Sequence, residues 1–246
     1  MSRPVIFSFC LVLSSNLFAQ KGVQYLKALY TKNHHHWYHT MTFVQTTENY
    51  RNDSLIRKAT WYEAVKLPND LRIDFDTPSK GNFVLYKRDS VYRFQNNSLR
   101  NVNADTNPFL FFIGGMYYMP FDSVLQYLDT KGYDVKKGYQ TVVDGAPAYV
   151  IGRDNESDTT NAFWIDTKDQ RIVRIAERNR GQMLDAHLLN HKQLPKGSTE
   201  TKVDIYINGK LVQVESYDQV KPDVPLDDAL FDPSTAATAR HWLQYQ

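Results

Sequence analysis

The chain has 246 residues, of which 42% are hydrophobic and 13% aromatic, so it has enough apolar material for a folded core and is not mainly disordered. Its formal net charge is +2, with Lys and Arg scattered among Asp and Glu, which argues against nucleic acid as a partner. After the N-terminus, no stretch approaches the roughly 18 apolar residues of a membrane-spanning helix.

The first twenty residues have the layout of a cleaved secretory signal. Arg3 supplies a positive start, an apolar run follows from Val5 to Leu13, and Ala19 precedes the expected cleavage point. The single cysteine, Cys10, lies inside this leader and outside a lipoprotein-signal context, so we expect a periplasmic mature chain without cysteine or lipid anchor. The expected organisation is a signal peptide at 1–19, a single domain at 20–233 and a tail or short helix at 234–246.

The first element predicted after the leader is an amphipathic helix over 22–32. Its apolar residues recur at helical spacing, and Asn33 is a suitable stop. The apolar positions are Val23, Leu26, Leu29 and Tyr30.

The sequence "HHHWYH" follows at 34–39. His35 and His39 would be i,i+4 partners on a helix, a recognised zinc geometry, whereas His34 and His36 would share a face on a strand. A helix-to-strand junction near Asn33 supports neither pair, and imidazoles interact favourably with the C-terminal end of a helix. We interpret the cluster as a junction, with a metal-dependent enzyme as the alternative and no metal site assigned.

From residue 37 onward, alternation of apolar and polar residues predicts strands. In "LRIDFD" the apolar and charged residues point in opposite directions, which predicts one buried face and one solvent-exposed face. The apolar set is Leu71, Ile73 and Phe75, and the charged set is Arg72, Asp74 and Asp76. Nine more strands are predicted at 40–47, 59–67, 81–87, 90–95, 146–152, 161–166, 171–177, 202–208 and 211–218. Short turns at 87–90, 144–145, 166–170 and 208–209 make these strands antiparallel.

Two helices interrupt the strand series. "NPFLFFIGG" has Asn107 as N-cap, Pro108 at the first helical position and glycines at its end, and "FDSVLQYLDTKG" carries a further apolar stripe. The predicted fold class is therefore α+β, with one strongly curved antiparallel sheet and helices covering its concave side.

Four stretches, in order and spacing, resemble the LolA/LolB-like family of periplasmic lipoprotein carriers. They are "WYEAVKLPNDLRIDFDTP" with "GNFVLYKRDSVYRFQNN", "NPFLFFIGG", "AFWIDTKDQRIVRIAERN" and "DDALFDP". The resemblance implies an incomplete β-barrel with a helical lid and a hydrophobic cavity for lipid or lipoprotein acyl chains. It also implies a monomer whose further partners are membrane proteins of the envelope. In LolA an arginine before the proline of the Lys-x-Pro turn latches the lid, whereas here that position is Leu67.

The candidate ligand-binding residues come from strand parity and from the inserted helix. They are Trp61, Val65, Leu67, Leu71, Ile73, Phe75, Phe109 and Phe112. The alternative is that these side chains simply pack on one another, as in an envelope module with a filled core that binds a protein partner.

Catalytic motifs are missing from the sequence. It contains no GxSxG, HExxH, Walker-type loop or GxGxxG, so we assign no catalytic residue and no cofactor and expect a protein that is not an enzyme. Glu63 shares the side of its strand with Trp61 and Val65. It is either a buried acid that orients a polar headgroup or a residue at a bulge or rim.

Overall fold

The computed structural model describes residues 13–179 and 181–244, with side chains from Lys21 onward. The first twelve residues of the predicted signal peptide and the last two of the predicted tail lie outside this part. Three α-helices are described, α1 (Leu13–Asn33), α2 (Pro108–Phe112) and α3 (Phe121–Thr130). Among these helices, none combines the length and apolar composition that crossing a membrane requires.

Thirteen strands of the described residues form one antiparallel sheet, and a two-stranded ribbon lies beside it. The strands before α2 are β1 (Thr40–Arg51), β2 (Ser54–Lys66), β3 (Asp70–Phe75), β4 (Phe83–Lys87), β5 (Ser90–Gln95) and β6 (Ser98–Ala104). Those after α3 are β7 (Gly138–Val143), β8 (Ala146–Ile151), β9 (Ala162–Asp166), β10 (Arg171–Asn179), β11 (Gln182–Leu189), β12 (Lys192–Gln193), β13 (Ser198–Thr199), β14 (Lys202–Ile207) and β15 (Lys210–Pro222). Strands β12 and β13 form the ribbon.

The strand order is β6-β5-β4-β3-β2-β1-β15-β14-β11-β10-β9-β8-β7, so the sheet does not close on itself. The long strand β15 pairs with β1 and joins the two halves of the chain. The predicted α+β class, with an antiparallel incomplete barrel and helices, is confirmed. All ten predicted strands are present, whereas β6, β7, β11 and the two ribbon strands β12 and β13 were not predicted.

The predicted C-terminal end of α1 and the predicted N-terminal end of α2 agree with the structure, whereas α1 is already helical from Leu13, before the predicted start at residue 22. Helix α1 ends at Asn33, and Asn107 caps α2 by accepting a hydrogen bond from the Phe109 backbone N–H at 2.9 Å. The side-chain oxygen thereby satisfies a donor that has no partner within the helix.

The two faces of the sheet carry separate apolar clusters. On one face, α1, α2 and α3 pack against the strands and form the main core, which includes Leu29, Leu110 and Val124. On the other face, the segment after β15 packs against the first half of the sheet through Phe231, Trp242 and other residues. This segment includes a short 3-10 helix at Trp242–Gln244.

The prediction of a solvent-exposed face on β3 is wrong for Arg72 and Asp74, which are 4% and 0% exposed. The C-terminal segment covers them. Arg72 Nη1 donates to the Ala236 carbonyl at 2.8 Å, and His241 Nε2 lies 3.1 Å from Asp74 Oδ2. Only Asp76, of the three charged residues, is exposed as expected.

Candidate functional site

A cavity of about 210 Å³ lies between the sheet and the inserted segment, which is the stretch 105–137 between β6 and β7 and contains α2 and α3. Its walls come from β1, β2 and β3, from β14 and β15, and from the start of α2. Most of the lining is apolar, with Phe43 and Ile205 on the sheet and Leu110 on α2. The structure therefore holds open space where a filled core was the alternative.

Six of the eight predicted ligand-binding residues line this cavity. They are Trp61, Val65, Leu67, Leu71, Ile73 and Phe109. Phe75 shares their face but packs edge-on against Trp61, with ring centroids 5.2 Å apart. Phe112 points into the core beside the cavity, 5.3 Å from the ring of Phe163. These two residues therefore lie behind the wall and not on it.

Leu67 lies where the sheet meets the inserted segment, in the position facing the lid that the family resemblance implies. It is 9% exposed, lines the cavity and contacts Gly114, where a Cβ atom would lie 2.6 Å from Leu67 Cδ1. An apolar contact thus occupies the place at which the family resemblance implies an arginine latch.

The histidine cluster anchors the inserted segment. His34 Nδ1 donates to the Tyr117 carbonyl at 2.7 Å, and the Tyr118 hydroxyl donates to the Tyr38 carbonyl at 2.7 Å. The backbone turns here, since the His34 N–H bonds the Tyr30 carbonyl at the end of α1. The junction interpretation is confirmed. Within the described residues, no three His, Cys, Asp or Glu side chains lie together as metal ligands would.

One wall of the cavity is polar. It carries the carboxyl groups of Glu63, Glu200 and Glu215, together with Gln213 and Tyr217. Glu215 accepts hydrogen bonds from Gln213 Nε2 and from the Tyr217 hydroxyl, both at 2.5 Å.

Burial sets the electrostatics of this wall. It raises the pKa of Glu63 well above the usual value, and the charge of Glu215 raises it further. Burial likewise raises the pKa of Glu215, although hydrogen bonds from Tyr217 and Gln213 oppose the change. The pKa of Glu200 is also raised by burial. Each of these acids therefore holds its proton to higher pH than an exposed glutamate does.

Sequence reasoning found Glu63 on the correct side of β2 but missed Glu200, Glu215 and Tyr217. Alternation in "LVQVESYD" does place Gln213, Glu215 and Tyr217 on one side of β15. Because valines are usually buried, the pattern predicts that the valines face inward. In the structure, the polar side of the strand lines the cavity instead. Glu200 lies in a connection between strands, where no periodicity applies.

No protein-family model matches this chain, and no curated protein matches its sequence. Solved structures match its fold. One is described as an outer membrane lipoprotein-sorting protein domain from Vibrio parahaemolyticus, with TM-score 0.59 and 12% identity over 89% of this chain and 99% of that chain. A DUF1329 family protein from Desulfovibrio piger gives TM-score 0.58 and 15% identity over 88% and 98%.

A LolA superfamily protein from Nitrosomonas europaea gives TM-score 0.54 and 12% identity, over 84% of this chain and 96% of that chain. Matches at sequence identities this low are evidence for a shared fold alone. The resemblance inferred from the sequence is confirmed at that level, and the chain has a LolA-like fold.

Proposed function

We propose that this chain is a non-enzymatic periplasmic protein that binds or carries a hydrophobic ligand, a lipoprotein acyl chain or another lipid, inside the cavity. The observation that carries the proposal is the apolar space between the sheet and α2 in a LolA-like fold. The leader at 1–19 supports export, and the neighbour from Vibrio parahaemolyticus described as a lipoprotein-sorting domain supports the ligand class.

The volume limits how much ligand the cavity holds. An apolar cavity of about 150 Å³ accommodates benzene, so 210 Å³ corresponds to roughly eight carbon atoms. At about 0.8 kcal/mol for each buried methylene group, eight carbons give about 6 kcal/mol before the cost of association. A longer acyl chain, or an aromatic dye with more than about eight carbon atoms, requires the inserted segment to move away from Leu67, or part of the ligand to remain outside the cavity.

Residues on both sides of the cavity would contact the chain of the ligand. The proposed ligand-binding residues are Trp61, Val65, Leu67, Leu71, Ile73 and Phe109, with Phe75 and Phe112 supporting the wall from behind. In this proposal the protein acts as a monomer and exchanges its ligand with membrane proteins of the envelope. It needs no cofactor, because burial of apolar area supplies the binding energy.

The test begins with native mass spectrometry of the untagged protein purified without detergent from the periplasm of its own organism. We expect a bound amphiphile as a mass increment. Binding of an uncharged apolar dye, N-phenyl-1-naphthylamine, is then measured by fluorescence. Absence of both a co-purifying amphiphile and dye binding would overturn the proposal. Metal analysis of the same sample tests the alternative of a histidine-based metalloenzyme, which requires stoichiometric metal.

A matched pair of variants locates the site. Ile73→Trp places a large side chain at a cavity-lining position that is 8% exposed, whereas Ile56→Trp makes the same change at a surface position that is 54% exposed. We expect Ile73→Trp to lose most dye binding and Ile56→Trp to retain it, with folding of both checked by circular dichroism. Equal dye binding by the two variants would place the dye elsewhere.

A further inference from the structure

In the part of the chain that the structure describes, the cavity lining contains three carboxyl groups and no basic side chain. Glu63, Glu200 and Glu215 line it, whereas no Lys, Arg or His is present among the described residues of the lining. An acyl carboxylate or a phosphate group placed here would meet three acids and no counter-charge. In a site of low dielectric constant, burying an anion without a counter-charge is strongly unfavourable, whether the neighbouring carboxyl groups are protonated or ionised. The ligand's polar group is therefore not an anion if it lies inside.

Glu63 differs from the other two acids in having no partner. Glu215 accepts from two donors, and Glu200 Oε2 is 3.3 Å from the Thr199 hydroxyl. Glu63 is 6% exposed, lines the cavity and forms no hydrogen bond with any described residue. Buried polar groups are nearly always hydrogen-bonded, because leaving one unsatisfied destabilises the fold. Glu63 therefore presents to the ligand space a carboxyl group that has no hydrogen-bond partner among the described residues.

The position of Glu63 in the sheet explains how it serves a ligand. It lies between Trp61 and Val65 on β2, opposite Phe43 on β1, so at its carboxyl group the polar wall borders the apolar wall. A ligand whose alkyl chain lies on this wall brings its polar end to Glu63. A primary ammonium group has three donors and a positive charge, and it can satisfy Glu63 while offsetting the neighbouring acids.

We propose that the cavity selects amphiphiles with a primary ammonium headgroup, which Glu63 binds by a charge-assisted hydrogen bond. This inference rests on the proposed function, since it names the class of hydrophobic ligand that the same cavity takes. The ammonium group can belong to a free alkylamine or to a larger aminolipid. The mass of the species that co-purifies distinguishes these two sources.

The experiment compares three probes with the same chain and different headgroups: octylamine, octanol and octanoate. Each competes with N-phenyl-1-naphthylamine for the wild-type protein at neutral pH. We expect octylamine to displace the dye at a concentration at least about tenfold lower than octanoate, with octanol between them, since a hydrogen bond to a charged group contributes about 1.5–3 kcal/mol. Octanoate that competes as well as octylamine would overturn the inference.

Variants assign the preference to Glu63. Glu63→Gln should reduce the octylamine-to-octanol affinity ratio about tenfold, with octanol binding retained as the sign of an intact cavity. The control Glu156→Gln makes the same change at an exposed glutamate outside the cavity and should leave the ratio unchanged. An unchanged ratio in Glu63→Gln would overturn the inference. If the dye binds and octanol competes while the headgroup has no effect, the proposed function stands and only the headgroup selectivity fails.

Discussion

Arg72 and Asp74 lie two residues apart on the same side of β3 and form a bidentate ion pair, with Arg72 Nε 2.7 Å from Asp74 Oδ2 and Nη2 2.9 Å from Oδ1. Both side chains are buried. Burial alone would raise the pKa of Asp74, but the hydrogen bonds and charges of His241 and Arg72 lower it below its usual value. Because Arg72 also bonds the Ala236 carbonyl and Asp74 contacts His241, the pair links the outer face of the sheet to the C-terminal segment.

Removing the guanidinium group leaves this carboxylate buried and in contact with His241 but without its bidentate partner. We expect Arg72→Met to lower the free energy of unfolding by about 3–5 kcal/mol, the usual effect of breaking a buried ion pair. The control is Arg57→Met, which removes an exposed pair in which Arg57 Nη2 lies 3.7 Å from Asp76 Oδ2. That change should cost under about 1 kcal/mol. Urea unfolding of both variants measures the difference, and equal losses would contradict the importance of the buried pair.

The strand β3 also shows what sequence patterns predict and what they leave out. Alternation correctly places Leu71 and Ile73 on the cavity side. It cannot show that residues near 236–241 return to cover Arg72 and Asp74, because that contact spans more than 160 positions along the chain. A charged residue on the face of a strand opposite the main core is predicted to be exposed when the segment that covers it has no periodic pattern of its own.

The same distinction applies to the candidate site: local sequence patterns predict part of it, and the rest depends on long-range contacts. Local signals identify α2, because a capping Asn107 followed by Pro108 has a direct physical meaning in a short window. The polar wall requires knowledge that β15 pairs with β1, which brings Glu215 opposite Thr47 and Tyr217 opposite Gln45. Pairing between strands so distant in sequence is a property of the whole fold. It cannot be predicted from the hydrophobic periodicity of one strand.

The buried acid Glu63 should make stability depend on pH. Because its pKa is raised in the folded state, the folded protein binds more protons than the unfolded chain once the pH rises above the usual value of 4.5. Its contribution therefore destabilises the fold as the pH rises through the folded-state pKa. We expect Glu63→Gln to be more stable than the wild type at about pH 8, with a difference that shrinks toward about pH 4.5. Thermal unfolding across this pH range measures how the stability difference changes with pH. Glu156→Gln should show the same pH dependence of stability as the wild type throughout.

Gly115 holds the inserted segment against the sheet by close backbone contact. A Cβ atom there would lie 2.8 Å from the Leu110 carbonyl oxygen and 2.9 Å from the Pro68 carbonyl oxygen. Gly115→Ala must therefore displace backbone, and we expect a loss of about 1–3 kcal/mol together with weaker dye binding as the segment moves off the cavity. In the control Gly145→Ala, the new methyl group meets no atom within 4 Å, at a φ of +80°. Backbone strain of about 1–2 kcal/mol is expected there, with dye binding unchanged.

Leu67 sets the depth of the cavity where the inserted segment meets the sheet. Leu67→Ala removes three carbon atoms from a cavity-lining side chain, so we expect a loss of about 2–4 kcal/mol in the free energy of unfolding. If the space opens toward the ligand, the best-binding member of a primary alkylamine series should lengthen by about two to three carbons. Leu55→Ala, at a surface position that is 51% exposed, should change neither quantity. A destabilised Leu67→Ala protein with an unchanged chain-length optimum would mean that neighbouring side chains collapse into the space, and that Leu67 packs the core without limiting the ligand.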